Sequence, residues 1–245
     1  MEEHELVSIT QGGFAIMNPT TPEKVLAAGR AAGLREGSRV VEIGCGNGTI
    51  LALWGREYGV SGLGIESREG ACRRAEETFR AAGPGGRLRV RCMDAREYVS
   101  DEPFDCAASI GASHIHGGFA ATLDALLDLV HGEGSIVIGD RFWRSDRVPP
   151  EFARAWPDVP TGYEVLGTAR EAGLDLAAVI RADGADWDRY ESGIWQSVLS
   201  WLGAHPDHPD RDSMIDYLHR LQDEYFGYGR EYMDWALFVM VPGFW

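Results

Sequence analysis

Lysine is almost missing from this chain: Lys24 is the only one among 245 residues. Lysine and arginine together number 23, against 38 acidic residues, which gives a formal net charge of −15 at pH 7. Proteins that bind nucleic acid rely on basic side chains to neutralise phosphates, so this balance argues against a nucleic-acid partner. The position of Lys24 also excludes a lysine general base from the second half of the chain.

Cysteine is scarce as well, and Cys45, Cys72, Cys92 and Cys106 form no Cys-x-x-Cys motif. We therefore expect free thiols in a reducing compartment, with no disulfide, no iron–sulfur cluster and no metal site. No apolar run approaches the roughly 20 residues that cross a bilayer, and the acidic N-terminus does not resemble a signal peptide. These absences predict a cytoplasmic protein without a membrane partner.

Glycine is plentiful, and the most informative glycines lie in the segment Val-Val-Glu-Ile-Gly-Cys-Gly-Asn-Gly, which ends at Gly48. They follow the β-branched residues Val40 and Val41. This pattern predicts a buried parallel strand, a tight glycine turn, and a helix over Thr49–Tyr58 whose free N–H groups face a ligand. A phosphate-binding P-loop is excluded, because it needs a lysine after the last glycine. A dinucleotide fingerprint, Gly-x-Gly-x-x-Gly, needs its third glycine one residue later than Gly48. A glycine turn without a ligand remains the alternative.

Acidic residues end the next two predicted strands. Val60–Glu66 ends in Glu66, close to the spacing of about 20 residues at which dinucleotide folds place a ribose-binding acid. Its carboxylate can accept hydrogen bonds from ribose hydroxyls, although a solvated acid is the alternative. The strand Leu88–Met93 leads to Asp94, which can equally cap a helix that begins near Arg96.

Strands and helices alternate along most of the chain, which predicts a doubly wound parallel sheet. The fourth strand, Phe104–Ile110, ends in small residues that leave room for a ligand at its carboxyl end. About 50 residues separate the last two strands, too many for a simple connection, and they favour a cap of two amphipathic helices. The remaining predicted elements are helices at 120–129, 162–172, 186–204 and 212–228 and strands at 134–140, 176–181 and 235–241.

The motif Glu-x-Gly-x-Gly-x-Gly from Glu42 to Gly48, with Glu66 and Asp94, resembles the cofactor-binding motifs of class I S-adenosylmethionine (SAM) methyltransferases. Narrower matches resemble a family of bacterial small-molecule methyltransferases, many of which have no assigned substrate: Asn18-Pro19, Gly111–Gly118, Trp143-Arg144, Trp187–Glu191 and Tyr228–Tyr232. The resemblance covers most of the chain. It implies an α/β fold with a Rossmann-like doubly wound mixed sheet of seven strands, the last antiparallel, and a helical cap inserted before that last strand.

We accordingly expect an N-terminal lid at 1–22, a SAM-binding domain at 23–185 and 233–245, and a cap at 186–232. In class I methyltransferases an acid at the position of Asp94 commonly receives the adenine amino group, and Ala95 would pack on the ring. The residues expected to bind SAM are Glu42, Gly44, Cys45, Gly46, Gly48, Glu66, Ser67, Asp94, Ala95 and Ile110.

The expected reaction is in-line displacement at the SAM methyl by an N, O, S or C nucleophile of a small molecule. His114 is the leading general base, because imidazole titrates near neutral pH and this residue follows the fourth strand. A histidine that only packs the loop is the alternative, and Asp140 is a weaker alternative base. The residues expected to contact substrate are Asn18, His116, Trp143, Trp187, Tyr190, Trp195 and Tyr232, of which the aromatic ones can equally form the core of the cap.

Two other functions remain open from the sequence: a protein of the same fold that binds SAM without methyl transfer, and a nicotinamide-dependent oxidoreductase. The early third glycine at Gly48 disfavours the latter. The Asp/Asn-Pro-Pro-Tyr/Phe motif of methyltransferases that act on nucleic-acid bases is absent. A monomer or a homodimer is expected.

Overall fold

The computed structural model describes residues 3–83 and 87–244, which contain one seven-stranded sheet of order β3-β2-β1-β4-β5-β7-β6. Strand β7 runs antiparallel to both of its neighbours, and the other pairs are parallel. This topology confirms the predicted mixed, Rossmann-like sheet. The strands are β1 (Arg39–Ile43), β2 (Ser61–Glu66), β3 (Leu88–Cys92), β4 (Phe104–Ile110), β5 (Val130–Trp143), β6 (Leu174–Arg181) and β7 (Met233–Pro242).

Helices connect these strands and form the cap. In the described residues no helix is both long and apolar enough to span a membrane. The helices are α1 (Glu3–Gln11), α2 (Pro22–Ala31), α3 (Thr49–Tyr58), α4 (Glu69–Ala81), α5 (Phe119–Leu127), α6 (Pro150–Ala155), α7 (Gly162–Glu171), α8 (Gly184–Ala204), α9 (Arg211–Glu224) and α10 (Arg230–Tyr232).

Side chains of β1 alternate between two apolar clusters, one on each face of the sheet. Val40 belongs to one cluster, and Val41 and Ile43 belong to the other. A strand buried on both faces carries apolar residues at adjacent positions, as Val40 and Val41 show here. Because β1 pairs in parallel with β2 and β4, Ile43 lies beside Ile65 and Ser109, and the loops after these three strands meet at one edge of the sheet.

The N-terminal segment and the cap pack on each other. Leu6 and Ile9 of α1 contact an apolar cluster formed by α8 and α9, which includes Val198 and Leu218. Helices α8 and α9 lie between β6 and β7 in the chain. The cap therefore enters before the last strand, as predicted.

Local departures from the predicted elements have identifiable causes. No α-helix begins near Arg96: only a single 3₁₀ turn follows Asp94, whose carboxylate accepts the Arg96 N–H. Strand β5 is longer than predicted because β4 pairs with it at Val130 and β7 pairs with it as far as Trp143. Helix α6 lies where the prolines predicted a break, since Pro150 occupies the first helical position, where proline is tolerated. Helix α9 ends at Glu224 and continues as one π-helical turn.

The expectation of four free cysteines is wrong. Cys72 at the start of α4 and Cys92 at the end of β3 form a disulfide, with Cα atoms 5.9 Å apart. This separation falls within the range that a disulfide requires. The crossover from β2 through α4 to β3 brings the two residues together, which their spacing in the sequence does not reveal. Cys45 and Cys106 are free and buried.

Candidate active site

The glycine turn after β1 needs glycine for steric reasons. Gly44, Gly46 and Gly48 have φ angles of 69°, 54° and 75°, in the left-handed region that other residues rarely adopt. A Cβ on Gly44 would lie 2.4 Å from the Cβ of Ala112, in the loop after β4. The turn therefore lets the ends of β1 and β4 approach closely.

Three N–H groups of the turn itself make hydrogen bonds within the protein, while the expectation of ligand-facing N–H groups at the start of α3 stays a prediction. The N–H groups of Gly44 and Cys45 donate to the Ile65 carbonyl, at 2.8 and 3.1 Å. The Gly46 N–H donates to the Glu66 carboxylate at 3.0 Å. The Cys45 side chain is buried, and its Sγ lies against Gly64 of β2. The turn thus allows the ends of β1 and β4 to approach closely and anchors the Glu66 carboxylate. Its Gly44, Cys45 and Gly46 N–H groups are not donors to a ligand.

Glu42 lies beneath the turn and is 1% exposed. Burial, with a smaller contribution from the Glu66 carboxylate, raises the pKa of Glu42 well above its usual value. Its Oε2 has no hydrogen-bond partner within the described part of the chain. A buried polar atom left without a partner is costly, and such atoms mark sites where a ligand or water completes the bonding.

A groove of about 270 Å³ opens at the ends of β1, β2 and β3. Burial by itself would raise the pKa of Glu66, but hydrogen bonds from Arg68 and the Gly46 N–H hold it below its usual value. Hydrogen bonds from Arg96 lower the pKa of Asp94 to about 2. The groove therefore presents two ionised carboxylates. We call it the Glu66 groove; it is lined by Gly44, Ile65, Glu66, Ser67, Asp94, Ala95, Arg96, His114 and Ile115.

A second space, of about 540 Å³, lies between the ends of β4 and β5, the N-terminal segment and the cap; we call it the central cavity. His114 borders both this cavity and the Glu66 groove. Beside it, the Ser113 hydroxyl donates a hydrogen bond to Asp140. From the N-terminal segment, Asn18 lines the cavity and donates its amide N–H to the Ile110 carbonyl at 3.3 Å.

The central cavity adjoins a third space of about 300 Å³ inside the cap, which we call the cap cavity. Gln11, Arg141, Trp156 and Tyr190 line both of them. The Tyr190 hydroxyl donates to Gln11 Oε1 at 3.1 Å, and burial raises the pKa of Tyr190 to about 12. Glu191 lines the cap cavity, where burial raises its pKa to about 7.

Comparison with known proteins identifies the family. A methyltransferase domain family matches residues 40–134. The uncharacterized protein YjhP of Escherichia coli K12 is 30% identical over 98% of this chain and 99% of its own. A SAM-dependent methyltransferase from Thiobacillus denitrificans, solved with S-adenosyl-L-homocysteine (SAH), is 33% identical and covers 99% of this chain and 100% of its own, with a TM-score of 0.90. The chain belongs to the class I SAM-dependent methyltransferases.

A second methyltransferase structure with SAH, from Geobacter sulfurreducens, is 33% identical, covers 97% of this chain and 98% of its own, and has a TM-score of 0.89. The cofactor of this methyltransferase is SAM. Its residues fit that cofactor: Glu66 and Asp94 offer two carboxylates in one groove, and Gly44 keeps the adjoining wall free of a side chain. Ribose hydroxyls and the adenine amino group are donors that such carboxylates accept.

The methyltransferase brings only some of the predicted substrate residues to its cavities. Asn18 and Tyr190 line the central cavity, and Trp187 lines the cap cavity with Tyr190. Burial lowers the pKa of His116, and the charge of Asp94 opposes this shift; the His116 Nδ1 is buried without a partner in the described chain.

The other predicted substrate residues pack elsewhere. Trp143 contacts Phe152 edge-on, with ring centroids 5.3 Å apart. Trp195 packs on Tyr225 at 5.7 Å, and Tyr232 packs against the core. These three aromatic residues do not line either cavity. The spacing of these residues in the sequence correctly predicted that they pack in apolar surroundings. The same spacing occurs whether an aromatic residue packs against protein or against a ligand, so it does not distinguish the two.

Several cavity residues were not among the predicted site residues. Gln11, Arg141, Trp156 and Glu191 come from α1, β5, the residue after α6 and α8. Two of them had a signal: Arg141 directly follows the Asp140 that ends the predicted fifth strand, and Glu191 ends the Trp187–Glu191 match to the methyltransferase family. The inward position of Arg141 depends on the extension of β5 along β7, which the sequence did not indicate.

Proposed function

We propose that this methyltransferase moves the SAM methyl group to an N, O, S or C nucleophile of a small molecule held in the central cavity, with His114 as the general base. The observation that carries this proposal is that His114 borders both the Glu66 groove and the central cavity. A base must reach the proton that the acceptor loses, and a residue between the two spaces lies at the place of transfer.

We assign Glu66 to the ribose hydroxyls of the cofactor and Asp94 with Ala95 to the adenine. When bound, SAM supplies a methyl group already activated by its positively charged sulfur. The protein then has to align the acceptor and exclude water. His114 takes the proton of an O–H or N–H acceptor at a ring nitrogen.

We further propose that segments 1–22 and 186–232 act as the lid and the substrate cap. Contacts between them support this: Phe14 packs edge-on to Tyr190 at 5.9 Å, and Gln11 accepts the Tyr190 hydroxyl. Met17 lies over Gly46, where a Cβ would be 2.5 Å from its Cε. Every assigned residue comes from one chain, which is compatible with a monomer or a homodimer.

The test is the variant His114→Gln, compared with His219→Gln on an exposed part of α9. SAH formation is measured between about pH 5 and 9 with a pool of small-molecule acceptors. His114→Gln should lower turnover by roughly 10²- to 10⁴-fold while SAM affinity stays unchanged, and His219→Gln should behave as wild type. Full turnover by His114→Gln at every pH would refute the general-base role.

A further inference from the structure

Arg141 is a half-buried cation that has no carboxylate partner in the described part of the chain. It lines both the central cavity and the cap cavity, and its Cζ lies 4.7 Å from the centroid of the Trp156 ring. Within the described residues its guanidinium makes no hydrogen bond or ion pair. By contrast, Arg144 and Arg181 both pair with Asp234.

Four acidic residues line the two cavities with Arg141: Asp158 is exposed, and the other three are engaged elsewhere or only weakly charged. Asp140 accepts the Ser113 hydroxyl and the backbone N–H of Arg141 itself. Glu224 on α9 accepts the indole N–H of Trp156. Glu191 on α8 has a pKa that burial raises to about 7, so near neutral pH much of it is uncharged.

An arginine held over an indole ring is restrained by that contact, and its N–H groups match the two oxygens of a carboxylate. Part of the wall of the central cavity that Arg141 lines is aromatic, with contributions from Trp156, Tyr190 and Trp235, and the rest is largely polar. It also contains His114. These features select a molecule with an anionic end, an aromatic or apolar body and a nucleophilic atom.

We propose that the methyl acceptor is a small aromatic or apolar carboxylic acid whose carboxylate binds Arg141 while its nucleophilic atom faces His114. This proposal rests on the proposed function, since it names the acceptor class of the same cavity. The carboxylate is a handle that positions the acceptor and does not itself receive the methyl group.

The test measures binding without methyl transfer. Protein saturated with SAH is titrated by calorimetry with phenylacetate and with phenylacetamide, which have nearly the same shape and differ in charge. Wild type should bind the carboxylate about tenfold or more tightly than the amide, because hydrogen bonds to charged groups are the stronger ones. Arg141→Gln should lose this preference, and Arg141→Lys should keep part of it. Arg220→Gln, which removes a cation that lines the cap cavity but not the central one, should retain the preference.

Equal binding of the two probes by wild type would overturn the proposal, as would failure of both to bind at roughly 10 mM. A carboxylate preference that survives in Arg141→Gln would overturn it as well. Unchanged SAH affinity of Arg141→Gln shows that the variant is folded. Because no turnover is measured, failure here is distinct from failure of the His114 test, which concerns methyl transfer alone.

Discussion

The Ser113 hydroxyl donates a hydrogen bond to the carboxylate of Asp140, and this contact joins the turn after β4 to the end of β5. Ser113 is 6% exposed and directly precedes His114. The contact therefore fixes the backbone that carries the proposed base, at the edge of the sheet where the Glu66 groove and the central cavity meet.

Ser113→Ala should lower the free energy of unfolding by about 1–3 kcal/mol, because it leaves a partly buried Asp140 oxygen without its donor. Ser109→Ala, near the end of β4, is the matched control. Ser109 is fully buried and its Oγ has no partner in the described residues, so its removal should cost much less. Urea denaturation of both variants measures the difference, and equal losses would contradict the role given to the contact.

Glu66→Gln should weaken SAM binding about tenfold or more, because the amide cannot accept the ribose hydrogen bonds with a full negative charge. Glu69→Gln provides the control, because Glu69 is exposed and pairs with Arg73 on the surface of α4. Isothermal titration with SAM gives both affinities. An unchanged affinity of Glu66→Gln would undo the ribose assignment.

Gly44→Ala and Gly33→Ala separate backbone strain from steric clash. Both glycines have a positive φ, 69° and 73°, but a Cβ on Gly33 has no neighbour within 4 Å, whereas one on Gly44 meets Ala112 at 2.4 Å. Gly33→Ala should cost about 1 kcal/mol, and Gly44→Ala about 2–5 kcal/mol. Chemical denaturation compares them. Similar costs would mean that the approach of β1 to β4 is not what requires Gly44.

The fold was largely readable from the sequence because its signals are local. Alternation, glycine turns and helical spacing each depend on residues that are near one another in the chain. The positions of Glu66 and Asp94 followed from the rule that parallel strands end at one edge of the sheet. The misplaced helix near Arg96 shows the limit: the cap that Asp94 provides was recognised, but a cap does not fix the length of the helix that follows.

The acceptor side was less predictable because it depends on contacts between distant segments. Arg141 is held in β5 by antiparallel pairing with Trp235 of β7, and Gln11 reaches Tyr190 because α1 packs on α8. Trp143 illustrates the converse, since a conspicuous aromatic residue filled the core. Residue type was a good guide to burial and a poor guide to which buried surface faces a ligand.

The disulfide between Cys72 and Cys92 leads to a direct chemical prediction. Protein purified without reductant and then unfolded should show two free thiols, those of Cys45 and Cys106. Cys92→Ser should lower the free energy of unfolding by about 2–4 kcal/mol without reductant, because the cross-link no longer restricts the unfolded chain. With reductant, wild type and variant should converge. Four titratable thiols in wild type would show that the bond does not form.

Glu191 should make stability depend on pH near neutrality. Burial raises its pKa to about 7 in the folded protein, whereas the usual value of a glutamate is 4.5. A carboxyl whose pKa is raised by folding contributes stability below its unfolded pKa, and that contribution is lost as pH rises through the folded pKa. The free energy of unfolding of wild type should therefore fall by on the order of 3 kcal/mol between about pH 4.5 and pH 8, and that of Glu191→Gln should not show this fall.

Denaturation curves across this pH range test the prediction, with the exposed Glu77→Gln expected to follow wild type. Parallel curves for wild type and Glu191→Gln would show that this carboxyl stays ionised, and Arg141 would then face a permanent counter-charge in the cap cavity.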